Sequence, residues 1–219
     1  MKRELRRLLA ERRLDEVVAL ADGRRRALST LVSLTFDRDP EIGWRAVEAM
    51  GVVAASLAVR NREAVREHLR SLLWLLNEES GGICWHAPEA MAEIVARSPT
   101  AFADFVPIIV HLIEQTAEED LAHFRPGMLW AIGRLGTTGV KDARDVLPTI
   151  VTALEHSDAQ VRGMAVWTLD RLGRGDLVAG YDALLEDEGT VDLYEGGMLT
   201  RTTVAVLARR AVGVPSTGC

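Results

Sequence analysis

Two seven-residue stretches, WRAVEAM at 44–50 and WHAPEAM at 85–91, agree at Trp, Ala, Glu, Ala and Met. Their separation recurs along the chain. Arg45, His86, Arg125, Arg162 and Thr200 occupy equivalent places at successive spacings of 41, 39, 37 and 38 residues, and Pro107 and Pro148 are 41 apart. A period of this length leaves few architectures open, because each unit is too small to bury its own apolar face and needs a stacked neighbour.

The plainest unit runs from Asp145 to Gly173, DVLPTIVTALEHSDAQVRGMAVWTLDRLG. Apolar residues at Val146, Leu147, Ile150, Val151 and Leu154 follow helical spacing, a polar turn occupies His156-Ser157-Asp158, and Val161, Met164, Ala165, Leu169 and Leu172 mark a second helix that stops at Gly173. Other pairs are expected at 24–36 with 41–61, at 62–77 with 83–98, at 100–115 with 124–136, and at 176–187 with 198–211. The hydrophobic fraction is 48% but only 5% is aromatic, and the Ala, Leu, Val, Arg and Glu that dominate favour closely packed helices over a sheet. The expectation is an all-α solenoid of about five helix pairs. Residues 1–213 form one repeat domain, with capping helices at 1–23, repeats over 24–211 and a flexible tail at 214–219.

The pattern resembles the HEAT repeat, and more narrowly the short bacterial HEAT-like form named after phycobilisome lyases. The residues that carry the match are L-P-x-x-V-x-x-L (147–154), Asp158, Val161-Arg162, Ala165, Leu169 and Leu172-Gly173. The third and fourth units match best and the fifth only loosely. The resemblance implies a right-handed α-α superhelix with first helices on the convex side and second helices along the concave one, and a recognition scaffold whose partners vary widely, so it speaks to fold more than to function.

Charge and cysteine content bound the partners. Residues 1–26 hold nine basic and five acidic residues, whereas the remainder carries 17 basic and 27 acidic. A body at −10 argues against a nucleic-acid partner, since phosphate neutralisation supplies much of such affinity; the basic front end reads as a solvated cap. The same charge argues against the HEAT-like glycosylases that grip damaged DNA. Two cysteines, Cys84 and Cys219, make no disulfide framework and fit a reducing cytoplasm. The first 18 residues have no continuous apolar core, so no signal peptide is expected, and no apolar run approaches the ~20 residues of a membrane span.

Candidate chemistry gathers in the second unit. Gly81-Gly82, Cys84, Trp85, His86, Pro88, Glu89 and Glu93 crowd one helix start. His86 and Glu89, at i and i+3, share a helix face, a spacing found in carboxylate-bridged metal sites. Together with Cys84 and His123 they define one reading, a metal- or ligand-dependent activity. HxxE alone is a weak signal, and Cys84 also reads as a small buried apolar residue, so no metal or other cofactor is assigned. Deoxyhypusine hydroxylases, which this fold resembles, bind iron through adjacent His-Glu pairs. His68, His86, His111, His123 and His156 are followed by Leu, Ala, Leu, Phe and Ser, which excludes that activity. Nothing marks a tetrapyrrole pocket, and no GxSxG, phosphate loop or CxxC is present.

Two columns run through equivalent positions. Arg45, His86, Arg125 and Arg162 either line a groove for carboxylates or stitch neighbouring turns, and stitching is favoured. Met50, Met91, Trp130 and Trp167 suit an apolar partner or the core, and the core is favoured. The expected function is non-catalytic: holding a protein or peptide on the concave face through Arg45, Glu48, Trp85, His86, Glu89, Arg125 and Arg162.

Overall fold

A computed structural model describes residues 1–24, 26–76, 86–118, 122–136, 139 and 141–213. Eleven α-helices dominate them: α1 (Lys2–Ala10), α2 (Leu14–Ala21), α3 (Ala27–Val32), α4 (Pro40–Ala58), α5 (Arg62–Leu76), α6 (Ala87–Arg97), α7 (Val106–Glu118), α8 (Arg125–Leu135), α9 (Leu147–Thr152), α10 (Ala159–Arg171) and α11 (Val204–Ala211). One hairpin, β1 (Thr190–Glu195) with β2 (Met198–Thr203), precedes α11. The all-α expectation holds.

Helix starts follow local chemistry. Asp39 has extended backbone and accepts a hydrogen bond from Glu41 N at 3.0 Å, and Pro40 opens α4 where its missing N–H costs nothing. Asp158 does the same for α10, accepting from Gln160 N at 2.8 Å. The first stretch is a broken pair: α1 ends at Ala10, and Arg12 takes a positive φ of 57° before α2.

The chain divides into two compact units, Met1–Phe105 with Gly196–Met198, and Val106–Glu195 with the residues from Leu199 on. In the first unit α4 packs against α6 on one side and against α1, α2, α3 and α5 on others. Ala46, Ala49 and Ala54 of α4 and Ala90 and Ala92 of α6 are fully buried, so small side chains let these helices approach. In the second unit α10 lies between α8 and α11, with α7 against α8 and β1 against α10. Second helices thus stack on second helices in each unit, α4 on α6 and α8 on α10. The Met/Trp column is core, as favoured: Met50, Met91, Trp130 and Trp167 are all buried.

The fifth pair departs from expectation. Asp176 and its neighbours form short 3-10 turns at Gly175–Leu177 and Asp182–Glu186, and the helix expected from Met198 begins only at Val204. Thr200 therefore lies on β2, out of register with the arginine column. The reason is local. TVDLYE alternates along its first residues and MLTRTT is rich in β-branched residues, which suit a pleated strand. Between them Gly196 and Gly197 take φ of 61° and 80°, the pair of positive angles a two-residue type I′ turn needs. The outer edge of β1 is closed by side chains: Gln160 donates to Asp192 O at 2.9 Å and accepts from Asp192 N at 2.8 Å, taking the place of a neighbouring strand.

Candidate functional site

The arginine column is tied into the architecture. Arg45 Nη1 donates to the carbonyls of Leu9 and Ala10 at 3.3 and 3.0 Å, and Nη2 pairs with Glu41 at 2.6 Å. Arg162, three repeats on, has the same arrangement: Nη1 donates to His156 and Ser157 carbonyls at 2.7 and 2.9 Å, and Nε pairs with Asp187 at 2.7 Å. Both guanidinium groups bond carbonyls where a preceding helical segment ends, where cationic groups are also favoured by the helix dipole. Arg125, first residue of α8, is half-buried with its Nε buried and unpartnered.

Where the column carries histidine instead, the surroundings change. Pro88 sits in the first turn of α6, as its position predicts, and the turn places His86 beside Glu89, Nδ1 to Oε1 at 3.1 Å. Glu89 is only 3% exposed, and its Oε2 is buried with no hydrogen-bond partner. Burial of the His86 ring opposes its charge, but the charge of Glu89 and the hydrogen bond to it outweigh that and raise the histidine's pKa. The indole of Trp44 on α4 lies 5.0 Å from the His86 ring, tilted by 60°. Further along, Arg97 on α6 holds buried Glu93 at 2.8 Å and reaches across to Glu48 on α4 at 3.4 Å. Trp44, Glu48, His86, Glu89, Glu93 and Arg97 thus form a polar ladder between two stacked second helices.

Cys84 and Trp85 lie outside the described residues. His123 belongs to the second unit, exposed, with its ring 4.3 Å from that of Phe124. Of the proposed metal set, the structure brings together His86 and Glu89. The same i, i+3 geometry occurs at exposed His111 and Glu114, 2.8 Å apart, so the spacing by itself marks no site. Among the described residues no cluster of three His, Cys, Asp or Glu side chains is placed to hold a metal ion.

A second feature carries no motif. In the first unit α2, α3, α4 and α5 enclose a pocket of about 550 Å³, with Val18, Leu28, Val53 and Leu57 among its apolar walls and Ser56 and His68 among its polar ones. Desolvation lowers the His68 pKa to about 4, and its Nε2 is buried without a hydrogen-bond partner. The i, i+4 spacing of Ala64 and His68 on α5 puts both on one helix face, but the other three walls come from segments up to 50 residues away.

No family model matches this chain. An uncharacterized protein of Archaeoglobus fulgidus is 27% identical over 186 residues, covering 82% of this chain and 92% of that one. A crystal structure of an archaeal HEAT-like repeats protein from Thermococcus onnurineus NA1 is similar over 98% of this chain and 96% of its own, with 16% identity and a TM-score of 0.41. A likeness at that level adds nothing to what the packing of helix on helix already shows.

Proposed function

We propose that this chain is a HEAT-like recognition module that holds a basic segment of a protein partner without turning it over. The observation that carries the reading is the polar ladder between α4 and α6. Within it one oxygen of buried Glu89 lacks a donor. A guanidinium or ammonium group approaching this face meets Glu48 and the flat indole of Trp44, and both favour a cation. Arg45 and Arg162 belong to the scaffold in this reading, while Glu48, His86 and Glu89 belong to the recognition face. A concave setting for that face and a cytoplasmic one for the protein are parts of the same proposal. A bacterial, phycobilisome-lyase-like affiliation draws no support from the two similar proteins, which are both archaeal.

The test uses fluorescence anisotropy with two labelled peptides, one alternating arginine and leucine, the other glutamate and leucine. The basic peptide is expected to bind saturably, to weaken with salt, and to lose at least tenfold in affinity on Glu48→Arg with the helical circular dichroism retained. Equal binding of the acidic peptide, or of the basic peptide by Glu48→Arg, overturns the reading.

A further inference from the structure

We infer that the pocket enclosed by α2, α3, α4 and α5 binds an uncharged small molecule, one with an apolar body and a hydrogen-bonding group that engages His68. The pocket, at about 550 Å³, falls within the range of small-molecule sites. Its walls are mixed in the way such sites are. Val18, Leu28, Val53 and Leu57 give apolar surface, while Ser56 and Asn61 give polar groups. Asn61 already accepts from Ala64 N at 3.1 Å through Oδ1, leaving its amide N–H groups for other use.

Charge decides what kind of molecule fits. Arg60 and Asp22 on the rim pair with each other, and Arg24 and Glu67 offset one another. Inside, His68 cannot compensate a ligand's charge, because burial keeps its imidazole neutral throughout the physiological range. A charged ligand would exchange its hydration for a site with no net opposite charge. A neutral one loses little on entry and gains the apolar walls.

His68 is the second argument. A buried ring nitrogen without a partner is a destabilising choice in a helix that would otherwise hold leucine at this position without loss. Groups of that kind are tolerated where function requires them. His68 lines the pocket while its Nε2 is buried, so engagement takes a turn of the ring that presents this nitrogen to the ligand's hydroxyl or N–H group, which then completes the missing hydrogen bond.

Phenol, toluene and benzoate share a ring and differ in what the argument turns on. In protein labelled with ¹⁵N-histidine, phenol is expected to shift the His68 ring nitrogens saturably, with toluene and benzoate at least tenfold weaker. His68→Leu is expected to melt at a higher temperature and to bind phenol at least tenfold more weakly. Toluene binding as tightly as phenol, benzoate binding more tightly, unchanged phenol affinity in His68→Leu, or no saturable shift with any of the three overturns the inference. The wild-type ring shifts decide the matter even where the variant fails to fold.

Discussion

The indoles of Trp130 and Trp167 stack with ring centroids 6.1 Å apart and planes 7° from parallel, and each donates its N–H to the strand beside it. Trp130 Nε1 reaches the Tyr194 carbonyl at 2.9 Å, and Trp167 Nε1 reaches Glu195 Oε1 at 3.0 Å. Two large rings from adjacent second helices therefore fill the space between α8, α10 and β1, and their polar edges are satisfied by the hairpin.

Gly133 makes that stack possible. A Cβ there would lie 2.4 Å from Cζ3 of Trp167. In an open helix Gly→Ala stabilises by up to about 1 kcal/mol. Overpacking a rigid indole costs more, so Gly133→Ala is expected to lose about 1–3 kcal/mol. Urea unfolding followed by tryptophan fluorescence measures it, and a gain in stability would show that the rings move apart freely.

Arg162 joins two carbonyls and Asp187 through one planar group. Arg162→Lys keeps the charge but has no fork to divide among three acceptors. A loss of about 2–3 kcal/mol is expected, close to that of Arg162→Ala. The partner's titration gives a second readout. The hydrogen bond from Arg162 is the main cause holding Asp187 below the usual aspartate range. That stabilisation is present above the unfolded aspartate's pKa and is lost as pH falls through the lower folded value. Denaturation titrations in acid should show a shallower loss in Arg162→Ala than in the wild type.

His86 titrates in the opposite sense. Its pKa is raised in the fold, so its contribution is complete below the unfolded histidine value of about 6.5 and is lost as pH climbs through the folded one. The melting-temperature difference between wild type and His86→Asn should be largest near pH 6 and shrink in mild alkali. A difference that grows with pH would contradict the pairing with Glu89.

The hairpin depends on its turn. A Cβ at Gly196 meets nothing within 4 Å, so only the φ of 61° restricts it. Gly196→Asn is expected to be nearly neutral, since Asn tolerates that region, whereas Gly196→Val should cost about 1–2 kcal/mol. Thermal unfolding of the two variants side by side checks the contrast.

Much of this molecule is legible as spacing. The recurrence of Arg45, His86, Arg125 and Arg162 sets the repeat, while the helical periodicity from Val146 to Leu172 and the capping chemistry of Asp39-Pro40 and Asp158 act within a turn or two of chain. Local physics therefore places the helices, and their one-sided apolar stripes require stacking. The loosest match, from Asp176 to Ala211, is also where a helix pair gives way to a hairpin. The alternation of TVDLYE and the Gly196-Gly197 turn were there to be read, but the repeat's period left them as a connection and drew a helix over β2 from Met198.

What tertiary structure alone decided is the use of each polar side chain. Sequence equivalence put Arg45, His86 and Arg162 in one column, yet two of them bond carbonyls at helix ends and the third bonds Glu89, because a side chain's role depends on which acceptor lies within hydrogen-bonding distance. The His68 pocket was beyond reach for the same reason. Its walls come from four helices whose residues share no pattern, and desolvation acts on a side chain only after those helices have closed around it.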